Sequence, residues 1–156
     1  MSLVHEKLYR SDLNNIDFGE YVNELAHMLL RNYKIKPDAI SLELDTESVL
    51  LPIDLAVPCG LMLNELITNI LKYAFGEGKD GEIFISLHII DKKTIELRVQ
   101  DNGMGIPDDF DIDKTETLDF KIVKIIGNKQ LRGTVECRKL QPGTEVIIRF
   151  RNPKNE

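Results

Sequence analysis

Between Phe18 and Tyr33, the apolar residues of FGEYVNELAHMLLRNY fall at Phe18, Val22, Leu25, Met28 and Leu29, which is helical spacing. Asp17 stands ahead of this run and Glu20 follows three residues later, a start signal in which a carboxylate caps the first free amides. Lys36-Pro37-Asp38 ends the pattern. The period then changes to two: in ISLELD, Ile40, Leu42 and Leu44 share one face, so a strand is predicted, and VLLPID carries a short second one. Helical spacing returns near Asp54 and runs through LAVPCGLMLNELITNILKYAF, with Pro58 in or just past the first turn, where a missing amide is tolerated. GEGKDG, from Gly76 to Gly81, reads as a loop. EIFISLHII (82–90) and TIELRVQD (94–101) alternate and are joined by DKK, hence a hairpin. After a polar, acidic stretch comes a short helix over LDFKIVKIIGN, then GTVECRKL and TEVIIRF, joined by QPG. At the start, LVHEKLYR (3–10) has the spacing of a helix tail too short to stand alone, which points to a segment preceding it in the parent protein. This order predicts an α+β fold: a two-layer sandwich with helices on one face of a mixed, largely antiparallel sheet.

The central helix has two unlike faces. At about 100° per residue from Glu65, the side chains of Asn69, Lys72 and Tyr73 fall within about 80° of it. Leu63, Leu66, Ile67, Ile70 and Ala74 gather on the other side. A solvated surface with an i, i+4 pair would give the same spacing. Read instead as a site, the face offers Asn69 as a neutral oxygen ligand for Mg²⁺, a hard ion that bridges substrate phosphates. Glu65, one turn away, can orient a water or accept a proton. Lys72 can meet a phosphate as a point charge and Tyr73 can line a base.

A second stretch, DNGMGIP (Asp101 to Pro107), poses its own question. Asn-Gly is a strong hairpin signal, but a hairpin requires alternation to resume after it, and MGIPDDFDIDKTET is acidic, polar and broken by Pro107. The strand therefore ends by delivering Asp101 to its tip, and a long excursion of the lid type follows. A carboxylate there repels phosphate but can accept a hydrogen bond from an exocyclic amine such as that of adenine. Gly103 and Gly105 let the chain bend without side chains blocking such a pocket. Other motifs fail: there is no GxxxxGK[ST], and Asp108 stands where GxGxxG needs its third glycine. Asp109, Asp111 and Asp113 imitate the opening of an EF-hand, but Lys114 and Phe120 replace its glycine and its closing glutamate. That run reads as a solvated, mobile acidic loop.

Composition narrows the field. The 156 residues suit one domain, and 42% hydrophobic with 29% charged residues is ordinary for a soluble globular chain. The net charge of −6, with acids and bases mixed, argues against nucleic acid as a partner. No secretory signal and no run of ~20 apolar residues is evident, so no membrane contact by this segment is expected. Cys59 and Cys137 lie far apart in apolar settings and read as buried free thiols of a reducing, cytoplasmic compartment. His5, His27 and His88 read as structural or surface residues.

Taken together, NELITNILKYAF (Asn64 to Phe75) resembles the N-box of the Bergerat-fold ATPases, the superfamily of gyrase, the ninety-kilodalton heat-shock chaperone, mismatch-repair MutL and sensor histidine kinases. DNGMGIP resembles their first glycine box. VHEKLYRSDLNNIDFGEYVNEL, LPIDLAVPCGLMLNELITNILKYAF and GTEVIIRF are similar to the HWE-related subgroup of histidine kinases, so the resemblance covers nearly the whole chain. It implies that residues 1–15 end a dimerisation or linker helix region, and that 16–156 form an ATP-binding catalytic domain with a lid at about 105–118. It implies Mg²⁺ on Asn69, Glu65 as general base or polar partner, Lys72 at phosphate, and Tyr73 at adenine. Asp101 would read the adenine amine, with Gly103, Gly105 and Ile106 in the same nucleotide site. The reaction implied is transfer of the ATP γ-phosphate to a histidine on an upstream helix absent from this chain, with a response regulator and a second copy of the full-length protein as partners. His5 does not match the acceptor motif.

One departure leaves two functions open. Where the subgroup closes its lid with a second glycine box, this chain has TLDFKIV, with Asp119 in place of a glycine. A carboxylate caps a helix N-terminus well, yet it competes with phosphate for the same amides. At ~4 Å the repulsion is about 1 kcal/mol in water and about 4 kcal/mol at an effective dielectric near 20. The chain is then either a kinase catalytic domain or a degenerate regulatory or dimerisation module of the same fold.

Overall fold

The computed structural model describes residues 15–32, 40–74, 80–103 and 118–153. A two-residue strand β1 (Ile16–Asp17) runs into helix α1 (Phe18–Asn32), then strands β2 (Ile40–Thr46) and β3 (Leu50–Leu51). Helix α2 (Ile53–Asn69) ends in a π-helical turn, Ile70–Ala74. Strands β4 (Gly81–Ile90) and β5 (Thr94–Asp101) follow, then helix α3 (Leu118–Ile125) with a π turn at Ile126–Gln130, and strands β6 (Thr134–Leu140) and β7 (Gly143–Arg151). The expected elements are present where described. The predicted helix tail at 3–10, the Lys36-Pro37-Asp38 break, most of GEGKDG and the lid lie outside the described residues. The β1–β3 pair, Ile16 opposite Leu51 and Asp17 opposite Leu50, escaped the sequence reading because two residues carry no period.

The five-stranded sheet has the order β2-β4-β5-β7-β6, with β2 parallel to β4 and every other pair antiparallel, so the fold is the mixed, largely antiparallel α+β sandwich expected. Its register stacks the helix-side residues in rows. Leu44, Ile85, Val99, Val146 and Cys137 make one row, and Thr46, Leu87, Leu97, Ile148 and Val135 the next. Helix α2 covers these rows with Met62, Leu63, Leu66 and Ile67, all buried. Stripping water from that much apolar surface is the main stabilising term, at about 1.5–3 kcal/mol for each large side chain fully buried.

Local chemistry explains the ends. Asp17 Oδ1 accepts the Glu20 amide at 3.2 Å, and its Oδ2 accepts from Ser48 Oγ at 3.0 Å, so one carboxylate caps α1 and pins the β2–β3 connection. Helix α2 has no side-chain cap; the amides of Leu55 and Ala56 reach the Pro52 carbonyl instead. Pro58 sits in its second turn and removes one helical donor. The β4–β5 turn has no glycine: Asp91 and Lys92 take positive φ, and Asp91 Oδ1 accepts the Lys93 amide at 3.1 Å. Contrary to the sequence reading, Ile53–Lys72 is long and apolar enough on composition to cross a bilayer; half of that span is buried inside the fold, as in the core helix of a globular domain. Cys59 and Cys137 are free thiols, but only Cys59 is fully buried; Cys137 is half-buried because it lies on an edge strand.

Helix α1 meets α2 at Gly60, where an added Cβ would lie 2.9 Å from the Tyr21 hydroxyl and 3.0 Å from its ring. The ring cannot swing freely, because it stacks on Phe18 at 5.7 Å. Gly60→Ala is therefore expected to cost about 1–3 kcal/mol, read as a lower urea midpoint at unchanged slope. An unmoved midpoint would show that α1 slides without penalty.

On the open face, Glu96 accepts from Arg98 Nε at 2.6 Å and Arg149 Nε at 2.9 Å. The Arg98 hydrogen bond holds the Glu96 carboxyl below its ordinary value; burial opposes this and Arg149 adds to it. A depressed carboxyl pKa stabilises the fold fully above the unfolded value of about 4.3 and progressively less as pH falls through the lower folded value. Glu96→Gln is expected to lower the urea midpoint at neutral pH and to flatten its decline below about pH 4. Parallel wild-type and mutant curves across that range would refute this account.

Candidate functional site

The first helix-side row of the sheet differs from the others. It runs Leu42, Ile83, Asp101, Thr144, Lys139, so among the described rows this one alone sets charged groups on the helix side. Asp101 is 6% exposed. Burial raises its carboxyl pKa, and the Gly103 amide, donating to Oδ1 at 2.8 Å, lowers it in part. Gly103 does this through its N–H rather than through a left-handed backbone, since Gly143 is the one glycine with positive φ among the described residues. The reason expected for Gly103, conformational freedom, is thus replaced by a hydrogen bond.

Two residues outside the predicted site, Asn102 and Gly143, set this turn. The Asn102 amide donates to the Glu82 carbonyl at 3.2 Å, and Asn102 Oδ1 accepts the Glu82 amide at 2.7 Å. That reciprocal clasp adds one rung after β5 has ended and fixes where Asp101 points. Gly143, at φ 110°, passes so close that a Cβ would fall 1.8 Å from the Asp101 carbonyl oxygen. Asn102 was in view as part of an Asn-Gly turn signal, but its partner across β4 is a product of strand pairing. Thr144, opposite Asp101, was equally invisible without the register.

Helix α2 supplies the second group. Its apolar side is buried as expected, while Glu65 and Asn69 are half-buried and Lys72 is exposed. The Asn69 side-chain nitrogen is buried without a hydrogen-bond partner. Such an orphan costs about 1–3 kcal/mol, and sites that keep one are commonly shaped for a ligand or an ion. Lys72 and Tyr73 lie in the π turn. The wider i→i+5 spacing breaks the 100° phase, so the helical wheel that joined them to Glu65 holds only as far as Asn69. The Tyr73 side chain, Gly105 and Ile106 lie outside what is described. Asp119 is the second residue of α3, within its first turn rather than at its cap.

The groups present fit Mg·ATP in kind. Among the described residues no cluster of three or more His, Cys, Asp or Glu could hold a metal. An amide oxygen beside a carboxylate suits an ion that arrives already bound to phosphates. Cys137, in the second row, has its thiol pushed up to about 11, first by burial and then by the charge of Asp101, so it is an inert neighbour of the site. His27 bonds the Asn23 carbonyl of its own helix at 2.7 Å, and His88 pairs with Asp45 at 3.0 Å, as structural residues do.

Comparison with known proteins agrees with this geometry. Residues 56–154 match the family described as histidine kinase-, DNA gyrase B- and HSP90-like ATPase, and residues 1–33 match one described as histidine kinase. Blue-light-activated histidine kinase 2 of Erythrobacter litoralis is 28% identical over 109 residues, 70% of this chain and 31% of that protein. Sensor histidine kinase PdtaS of Mycobacterium tuberculosis is 22% identical over 151 residues, 96% of this chain and 30% of that protein. The chain thus spans about a third of the length of these curated relatives. The histidine kinase domain of the E. litoralis EL346 blue-light activated kinase superposes with a TM-score of 0.85 at 22% identity, covering 97% of this chain and 71% of that one. With its mixed sheet, its helices and its buried strand-end aspartate described, the chain belongs to the histidine kinase-, DNA gyrase B- and HSP90-like ATPase family.

Proposed function

We propose that this chain is the ATP-binding catalytic domain of a protein histidine kinase. It would present the ATP γ-phosphate to a histidine on an upstream helix of the parent protein, which then serves a response regulator. The observation that carries this reading is Asp101: a carboxylate held on an apolar sheet face, with one oxygen taken by Gly103 and the other available to an exocyclic amine. Asn69, with Glu65 beside it, would hold Mg²⁺, which supplies charge neutralisation of the transferred phosphoryl group. Lys72 would meet phosphate, and Tyr73, Gly103, Gly105 and Ile106 would complete the nucleotide site. Catalysis would rest on positioning and electrostatics, since phosphoryl transfer asks little covalent chemistry of the protein. Glu65 would orient the acceptor or take its proton. Residues 1–15 would close the linker region and 16–156 form the catalytic unit, with a lid at about 105–118; two copies would pair in the full-length protein. The work is that of a cytoplasmic domain.

Asp119 favours a second reading, a degenerate regulatory module, because a carboxylate in the first turn of α3 opposes phosphate at the same amides. Calorimetry with Mg²⁺ and a non-hydrolysable ATP analogue separates the two. The expected outcome is saturable wild-type binding that weakens at least ~100-fold, about 2.7 kcal/mol, in Asp101→Ala, and becomes Mg²⁺-independent and weaker in Asn69→Ala. No binding at millimolar nucleotide, restored by Asp119→Gly, would establish the degenerate module. Tight binding indifferent to Asp101→Ala would remove Asp101 from the site.

Asp101 also sets a stability test. Its raised pKa means that the folded state favours the protonated form, so stability falls as pH rises from the ordinary value of about 3.9 through the raised one. Asp101→Asn keeps an acceptor for Gly103 and removes the buried charge. It is expected to melt at or above the wild-type temperature near pH 7 while losing selectivity for adenine over guanine nucleotides. A large drop in melting temperature would mean that the ionised carboxylate is structural.

A further inference from the structure

The sheet face turned away from the helices pairs its carboxylates with arginines. Glu96 is shared by Arg98 and Arg149, Glu145 by Arg98 at 3.5 Å and Arg138 at 3.6 Å, and Glu136 lies 3.9 Å from Arg149. Under these side chains Ile147 is 1% exposed. On β2 and β4 the arginines give way to His88, which lies 3.0 Å from Asp45 and 3.5 Å from Glu47, and beyond these the pairing stops. The carboxylates of Glu43 and Glu82 have no ion-pair or hydrogen-bond partner among the described residues. They rim a cavity of about 140 Å³ at the end of the sheet, whose walls include Phe84, Gln100, Ser41 and the Asp101-Asn102 turn. The register sets Phe84 between Glu43 and Gln100, with Glu82 next along the same side of β4.

We propose that this cavity binds a guanidinium group, presented as an arginine side chain by a partner protein. Its volume is well below the roughly 300–1,000 Å³ of a pocket for a whole drug-sized ligand, so it admits a head group and a short stem. A guanidinium is flat, stacks on an aromatic ring and carries five donors. Phe84 supplies the ring, Glu43 and Glu82 the counter-charges, and Gln100 and Ser41 further acceptors. An ammonium has three donors and no plane to stack, so it fits less well. The occupant would lie directly behind the Glu82–Asn102 clasp and brace the turn that aims Asp101. Binding here is therefore coupled to nucleotide binding on the other side of the sheet, a part of the proposal that rests on the nucleotide reading of Asp101.

Amide NMR titration of the chain with N-acetyl-arginine N-methylamide tests the site. Saturable shifts centred on Ser41, Glu43, Glu82, Phe84, Gln100 and Asn102 are expected, weakened roughly tenfold, the scale of a lost charged contact, in Glu43→Gln/Glu82→Gln. Both positions are exposed, and spectral dispersion verifies that the variant folds. The lysine analogue should bind several-fold more weakly. Linear, unsaturated shifts, an unaffected double variant or equal lysine binding would overturn the site. Tighter binding of agmatine than of the arginine amide would replace the protein partner with a small amine. At a saturating probe, the dissociation constant of the ATP analogue should fall about twofold or more by reciprocal linkage. An unchanged constant overturns the coupling alone, whereas absence of any nucleotide binding refutes the proposed function and leaves the shift test standing.

Discussion

Everything in this fold hangs on covering one face of a five-stranded sheet. Successive rows of Leu, Ile and Val point to the same side, and no arrangement of the strands alone removes them from water. Helix α2 does so, and its position follows from that demand. Because a helix buries one side only, the other side of α2 is left half-buried, with Glu65 and Asn69 on it. The polar face of α2 is therefore a by-product of core packing: the helix that excludes water from the sheet also holds Glu65 and Asn69 half-buried.

Against that apolar face, Asp101 is the exception the fold has to hold in place. A carboxylate 6% exposed on such a surface resists ionisation, and one amide from Gly103 offsets the penalty only in part. The turn around it is over-determined. Asn102 is tied to Glu82 by two hydrogen bonds, and Gly143 approaches the Asp101 carbonyl more closely than any side chain would permit. Desolvation kept at one point, with rigid support around it, is usual where a protein prepares a group for a ligand. The orphaned Asn69 amide nitrogen is the same signature on the facing helix.

The open face solves a different problem. No described helix lies over it; Ile147 is 1% exposed opposite Arg98, whose head is held by Glu96 and Glu145. Paired charge stands there in place of a second described layer.

Periodicity in the sequence was enough to locate the helices and strands, to assign the helix-facing residues of β2 and the apolar side of α2, and to argue that Asp101 ends a strand. Those are local matters, decided by a period of two or 3.6 and by the failure of alternation after Asn102-Gly103. The β1–β3 pair was not legible because it depends on a partner far away in the chain, and the positive φ of Asp91 and Lys92 and the π turn at Lys72 and Tyr73 were not because they depart from the local period without changing residue type. The clasp from Glu82 to Asn102 and the approach of Gly143 were not legible either. The sequence by itself determined which residues carry chemistry, since side-chain type and local period are written in it. Only the tertiary structure decided which of them meet, because strand register and helix docking bring together groups that no local interaction relates.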